Sequence, residues 1–194
     1  MSVDNKKTQI FELLSTLDAL KHLKRTGWIH FDVPQPETVS GHMYRMAILA
    51  MTLSGEDSSL DAMRCVKMAL VHDIGEAIVG DITPRCGVSE AEKFKLEEDA
   101  VLRIASFVPA TLGNEWEALW REYEAAETPE AKAVKQLDKF DMIAQAFSYE
   151  QKYGLDLSEF FNSTTNAFST EPFISWNNEL RERRTNWSSD NKKE

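Results

Sequence analysis

The sequence predicts an all-α fold, a single helical bundle of about seven to nine helices. Apolar residues recur at steps of three and four along most of the chain, the spacing that places them on one face of a helix. No segment alternates convincingly with period two, and no Asn-Gly or Asp-Gly pair marks a hairpin. Neither an internal repeat nor a linker divides the 194 residues. A chain of that length can bury a core without disulfide staples.

The elements follow in order. Residues 1–7 are polar and expected to be disordered. From Thr8, a suitable N-cap, to about Lys24, the residues Ile10, Leu13, Leu14, Leu17, Leu20 and Leu23 mark an amphipathic helix. Gly27, in the run Arg25-Thr-Gly-Trp28, is expected to end it in the left-handed cap conformation. Pro34 and Pro36 make the following segment an extended loop. Ser40 begins a second helix, with His42 in its first turn. After a turn at Ser54–Ser59, a third helix runs from about Leu60 into His72-Asp73. Gly75 loosens it, and Gly80 ends a short helix beyond. Ser89-Glu-Ala-Glu92 matches a capping box and opens a helix to Phe107. Asn114–Ala126 is the next helix. Pro129, at a first helical position, starts one that ends at Gly154. Leu157–Phe168 and Phe173–Arg184 complete the domain, which spans 8–186, and 187–194 reads as a disordered tail.

Composition narrows the function. The net charge is -10, with no basic cluster before the tail, which argues against a nucleic-acid polymer as partner. A single nucleotide remains admissible, because a metal can hold its phosphate. Cys65 and Cys86 lie in no metal or redox spacing and read as free thiols of a reducing compartment. With neither a signal peptide nor a membrane-spanning run, the expected address is cytoplasmic or nuclear, not secreted, and no membrane partner is expected.

The chemistry centres on Ala69–Asp81, ALVHDIGEAIVGD. Four ionisable groups, His72, Asp73, Glu76 and Asp81, sit among apolar neighbours, where burial is costly without a partner. Asp138 likewise lies on a partly apolar helix face, with Asp141 one turn on. His42, His72, Asp73 and Asp138 come from three helices. Two imidazoles and two carboxylates suit Mn, Fe, Co, Zn or Mg-like ions rather than a thiolate-rich structural zinc site. Adjacent side chains on a helix point about 100° apart. His72 and Asp73 can therefore share an ion only at a cleft between helices or where the helix ends. Taken alone, each residue has a plainer reading: a core histidine, or an aspartate bonded to backbone. His22 and His30 read as ordinary, and Trp28 as a core plug rather than a stacking plate.

The H…HD…D pattern of His42, His72-Asp73 and Asp138 resembles the HD-domain superfamily of metal-dependent phosphohydrolases. RTGW from Arg25, PETVSGHMYRMA from Pro36, ALVHDIGEAIVGDITP from Ala69 and AKAVKQLDKFDM from Ala131 resemble its 5′-deoxynucleotidase branch over roughly residues 10 to 170. The resemblance implies an HD-domain helical bundle that hydrolyses deoxyribonucleoside 5′-monophosphates to deoxyribonucleosides and phosphate. A divalent ion (Mn, Co or Mg foremost, with Zn and Fe admissible) would be held by His42, His72, Asp73 and Asp138. Glu76 and Asp81 would be catalytic or would help hold a second metal. Arg25 and Trp28 would meet the phosphate and the deoxyribose, although Thr26-Gly27 separates a pair that is adjacent in the bacterial enzymes. Either Glu122 or Glu124 would be a supporting acid. Relatives are often homodimers, and Trp116, Trp120 and Trp176 serve either that interface or the core. The alternatives are an HD phosphodiesterase acting on another nucleotide and a non-catalytic metal-dependent nucleotide sensor.

Overall fold

The computed structural model describes residues 3–54 and 59–191. Among them are ten α-helices and two 3-10 turns, and no strand. The helices are α1 (Val3–His22), α2 (Thr26–Ile29), α3 (Val39–Ala50), α4 (Ala62–Ala69), α5 (Glu76–Val79), α6 (Glu90–Ala105), α7 (Ala110–Ala125), α8 (Pro129–Tyr153), α9 (Ser158–Ser163) and α10 (Phe173–Asn191). Of these, α2 and α5 are single turns of four residues, which leaves eight longer helices, within the expected number.

Local chemistry sets most of the boundaries. The α8 helix starts where Thr128 Oγ1 accepts from Ala131 N at 3.1 Å, with Pro129 next, and stops at Gly154, whose φ is 67°. Asp61 caps α4 by accepting from Arg64 N, and Ser89 caps α6 by accepting from Glu92 N. Each cap satisfies an amide that the helix itself leaves open. The 25-residue α8 is the axis of the bundle, in contact with α3, α4, α7, α9 and α10. It contributes to two of three apolar clusters. Leu137 and Val134 meet Met46, Cys65 and Leu119, while Ile143 and Phe147 meet Trp28, Leu157 and Phe161.

Several sequence expectations need correction. Gly27 lies inside α2 with no positive φ, and the left-handed residue in that region is Asp32, at φ 53°. The chain leaves α1 because it pairs instead with the entry to α3. Arg25 N donates to Glu37 O and Val39 N to Leu23 O, around an isolated bridge between Lys24 and Thr38. The α3 helix begins at Val39, capped by Thr38, rather than at Ser40. The α4 helix stops at Ala69, so His72 and Asp73 lie on a turn beyond it, and α7 starts at Ala110 rather than Asn114. The helix expected over Leu157–Phe168 is only Ser158–Ser163. Val3 begins α1, ahead of Thr8, and α10 continues to Asn191, so helix passes both expected domain limits. Residues 1–2 and 192–194, and most of the Ser54–Ser59 turn, lie outside the described residues.

Candidate metal centre and nucleotide cavity

The end of α4 resolves the problem of adjacent ligands. Because the helix has stopped, the turn Leu70–Gly75 brings His72 Nε2 and Asp73 Oδ2 to 3.1 Å of each other. His42, on the first turn of α3, adds its Nε2 at 3.9 Å from the same Asp73 oxygen. One ligand atom from each of His42, His72 and Asp73 lies within 4.8 Å of the others. Asp138, on α8, joins through His42, its Oδ1 lying 3.2 Å from Nε2.

Hydrogen bonds decide which nitrogens face this point. His42 Nδ1 lies 2.7 Å from Asp141 Oδ2, and His72 Nδ1 lies 3.0 Å from the Ala69 carbonyl. A carbonyl only accepts, so Nδ1 of His72 carries the proton, and the Asp141 carboxylate selects the same tautomer in His42. Each Nε2 is then a lone-pair donor. Both are buried and have no hydrogen-bond partner. Two orphaned imidazole nitrogens aimed at two carboxylates fit a divalent cation.

The charges agree with that reading. Burial opposes ionisation of Asp73, yet His72, His42 and Arg25 hold its carboxyl below the usual range. Burial also opposes ionisation of Asp138, which Lys139, His42 and Arg25 overcome. Burial and Arg25 depress His42, but the nearby carboxylates of Asp138 and Asp141 outweigh them and bring it to about 9. A cation at Nε2 would take the place of the proton there.

All the expected site residues except His42 line one cavity of about 610 Å³, with His42 buried beneath its floor. Arg25 lies 3.6 Å from Asp73, 3.9 Å from Asp138 and 3.9 Å from Glu37. These distances exceed hydrogen-bond reach, so its donors stay available while four carboxylates keep it charged. Glu76 is 5% exposed, with a buried, unpartnered Oε2. Burial together with Asp73 and Asp81 pushes its carboxyl well above the usual range. Asp81 Oδ2 accepts from Thr26 N at 2.6 Å and so ties the 80s loop to α2. Among the described residues, neither Glu76 nor Asp81 belongs to a three-residue group close enough to share an ion. Trp28 is 1% exposed, its Nε1 donating to Glu37 Oε1 at 3.0 Å, which matches its reading as a core plug. Glu124 lines the cavity and pairs with Lys135, whereas Glu122 is held by Arg64 and Thr128.

Sequence reasoning passed over the shell behind the ligands. Arg45 Nε donates to Asp141 Oδ1 at 2.5 Å, and its Nη2 lies 3.7 Å from Glu37. Arg45 is three residues beyond His42, and that helical spacing could have pointed to it. Glu97 and Lys93, paired at 3.5 Å on the cavity wall, carried no sequence signal beyond their own i,i+4 relation.

A helical bundle with two histidines and two aspartates at the floor of a cavity defines an HD-domain protein, and the HD-domain family profile matches residues 17–173. The chain belongs to that metal-dependent family. Within it, the chain is 45% identical over 161 residues to 5′-deoxynucleotidase HDDC2 of Danio rerio, covering 82% of this chain and 80% of that one. It is 43% identical over 192 residues to 5′-deoxynucleotidase hdd1 of Schizosaccharomyces pombe, covering 95% of each. A solved structure of a conserved hypothetical protein from Pyrococcus furiosus superposes with a TM-score of 0.74 at 30% identity, covering 91% of this chain and 99% of that one.

Proposed function

We propose that this chain is a metal-dependent 5′-deoxynucleotidase, converting deoxyribonucleoside 5′-monophosphates to deoxyribonucleosides and phosphate. The observation that carries the reading is the pair of buried, unpartnered Nε2 atoms facing Asp73 and Asp138. They lie at the floor of a cavity that also holds an uncommitted guanidinium. Relatives bearing the name 5′-deoxynucleotidase match most of the chain.

His42, His72, Asp73 and Asp138 would hold the ion. Mn, Co or Mg is the expected occupant, Zn and Fe being compatible with the same nitrogen and oxygen donors. Such an ion supplies Lewis acidity at a phosphoryl oxygen and acidifies water. Arg25 binds the substrate phosphate and neutralises charge that develops on its oxygens. Glu76, at the cavity wall, orients the attacking water or carries its proton. Asp81 has one oxygen committed to Thr26 N, and the other serves the sugar 3′-hydroxyl or, with Glu76, a second ion. Trp28, buried behind the cavity surface, stiffens the wall against which the deoxyribose lies. We also propose that the protein is a homodimer, and that it resides in the cytosol or nucleus, where the unpaired Cys65 and Cys86 would remain reduced. No helix among the described residues is long and apolar enough to cross a membrane.

The test is phosphate release from paired deoxy- and ribonucleoside 5′-monophosphates, with and without chelator and with Asp73→Ala. The expected outcome is turnover of the deoxy substrates that chelator and Asp73→Ala both remove. Equal activity in the two controls would falsify the proposal.

A further inference from the structure

The cavity has two unlike walls. The ion-binding side is charged, with Arg25 3.6 Å from Asp73 and 3.9 Å from Asp138 and Lys135 over the Tyr123 ring. The side formed by α2 and α9 is aromatic. Phe160, on α9, lies 4.5 Å from the Trp28 ring and 5.0 Å from the Phe31 ring, centroid to centroid. Arg85 sits over Phe31 at 4.8 Å and donates to both oxygens of Glu159 at 2.7 Å, which joins the 80s loop to α9 at this wall. Trp28 has almost no accessible surface of its own, whereas Phe160 is half-buried and lines the cavity. The aromatic surface offered to a ligand is therefore that of Phe160, with Trp28 packed behind it.

The position of Phe160 is held from below. Glu150 of α8, 3% exposed, accepts from Leu157 N at 3.0 Å, just before α9, and receives Arg184 of α10 on both oxygens. A ring fixed this way loses little freedom when another ring settles on it. A nucleoside monophosphate has the same polarity as the cavity, anionic at one end and flat and π-faced at the other. Stacking reads no base edge, so it tolerates every base.

We propose that Phe160 is the specificity-determining residue for the nucleoside half of the substrate, its ring carrying the nucleobase while Arg25 and the ion-binding residues take the phosphate. This rests on the deoxynucleotidase reading above and names the residue that separates nucleotides from smaller phosphomonoesters.

Steady-state kinetics on deoxyadenosine 5′-monophosphate and on 2-deoxyribose 5-phosphate, which lacks the base, test it. Phe160→Leu is expected to raise KM for the nucleotide about tenfold, with kcat within about twofold because Phe160 touches no reacting atom. The KM for the base-free sugar phosphate and inhibition by inorganic phosphate should stay as in the wild type, and Phe160→Tyr should restore the nucleotide KM. An unchanged nucleotide KM in Phe160→Leu, or an equal rise for both substrates, overturns the assignment. The wild type provides a check that needs no variant: its KM for the nucleotide should lie about tenfold below that for the sugar phosphate, and equal values overturn the assignment while leaving the deoxynucleotidase reading intact. A wild type that neither binds nor hydrolyses the nucleotide overturns both.

Discussion

His42 shows how one residue is specified by its neighbours. Its ring is fully buried, with Nδ1 bonded to Asp141 at 2.7 Å and Nε2 left facing Asp73 and Asp138. Asp141 is itself held by Arg45, so it orients the ring without meeting the ion. Asp141→Ala should lower divalent-ion affinity by about 10–100-fold, read by calorimetric titration, and an unchanged affinity would remove that role. Glu97 makes a pH-dependent contribution. It is 8% exposed, and burial, together with Asp73 and Glu124, raises its pKa from 4.5 to about 7 against the pull of Lys93. The folded state then binds the proton more tightly than the unfolded one. The resulting destabilisation is absent below the unfolded value and complete above the folded one. Glu97→Gln should therefore raise stability by about 2 kcal/mol at pH 8 and leave it unchanged at pH 4. Urea melts at the two pH values measure this, and an equal gain at both would refute it.

At the scale of elements, the cavity walls depend on how closely helices approach. Gly113, near the start of α7, faces the end of α6, and a Cβ there would lie 2.4 Å from the Ala105 carbonyl oxygen. Backbone cannot yield as a side chain tip does, so α7 would have to move away from α6. Gly113→Ala should cost about 1–3 kcal/mol, more than alanine's helix propensity returns, visible as a lower denaturation midpoint. Because α6 carries Lys93 and Glu97 and α7 carries Tyr123 and Glu124, the same shift should weaken substrate binding. A midpoint at or above that of the wild type would show that the contact is not limiting. The local signals served well for such elements. Pro129 and Gly154 bracket α8 as read from the sequence. Gly27 misled, because a glycine suits a left-handed cap but does not require one.

For the whole molecule, the ion would join three segments distant in sequence: α3 through His42, the turn after α4 through His72 and Asp73, and α8 through Asp138. A chain of net charge -10 with several carboxylates in one cavity stands to gain from a cation that binds only the folded state. Binding at about a hundredfold above Kd contributes about 2.7 kcal/mol. Chelation should then lower Tm by roughly 5–10 °C, and Mn²⁺ should restore it in differential scanning calorimetry. A Tm indifferent to chelator and metal would argue that these residues hold no ion. Of the tryptophans considered for an interface, Trp120 is 1% exposed and belongs to the core, while Trp116 and Trp176 are partly buried against core clusters.

The sequence by itself determined the helical class, the start and stop of the long α8 helix, and the short list of His42, His72, Asp73 and Asp138. These are local properties: a cap acts over three residues, and an apolar stripe repeats over four. Only the tertiary structure decided which nitrogen of each histidine is free, that Arg45 and Asp141 stand behind His42, and that Phe160 covers Trp28. Those facts depend on contacts such as His42 with Asp141, 99 residues apart, or Trp28 with Phe160. No periodicity in the chain encodes them, because they arise only once α8 and α9 have packed against the segments that precede them.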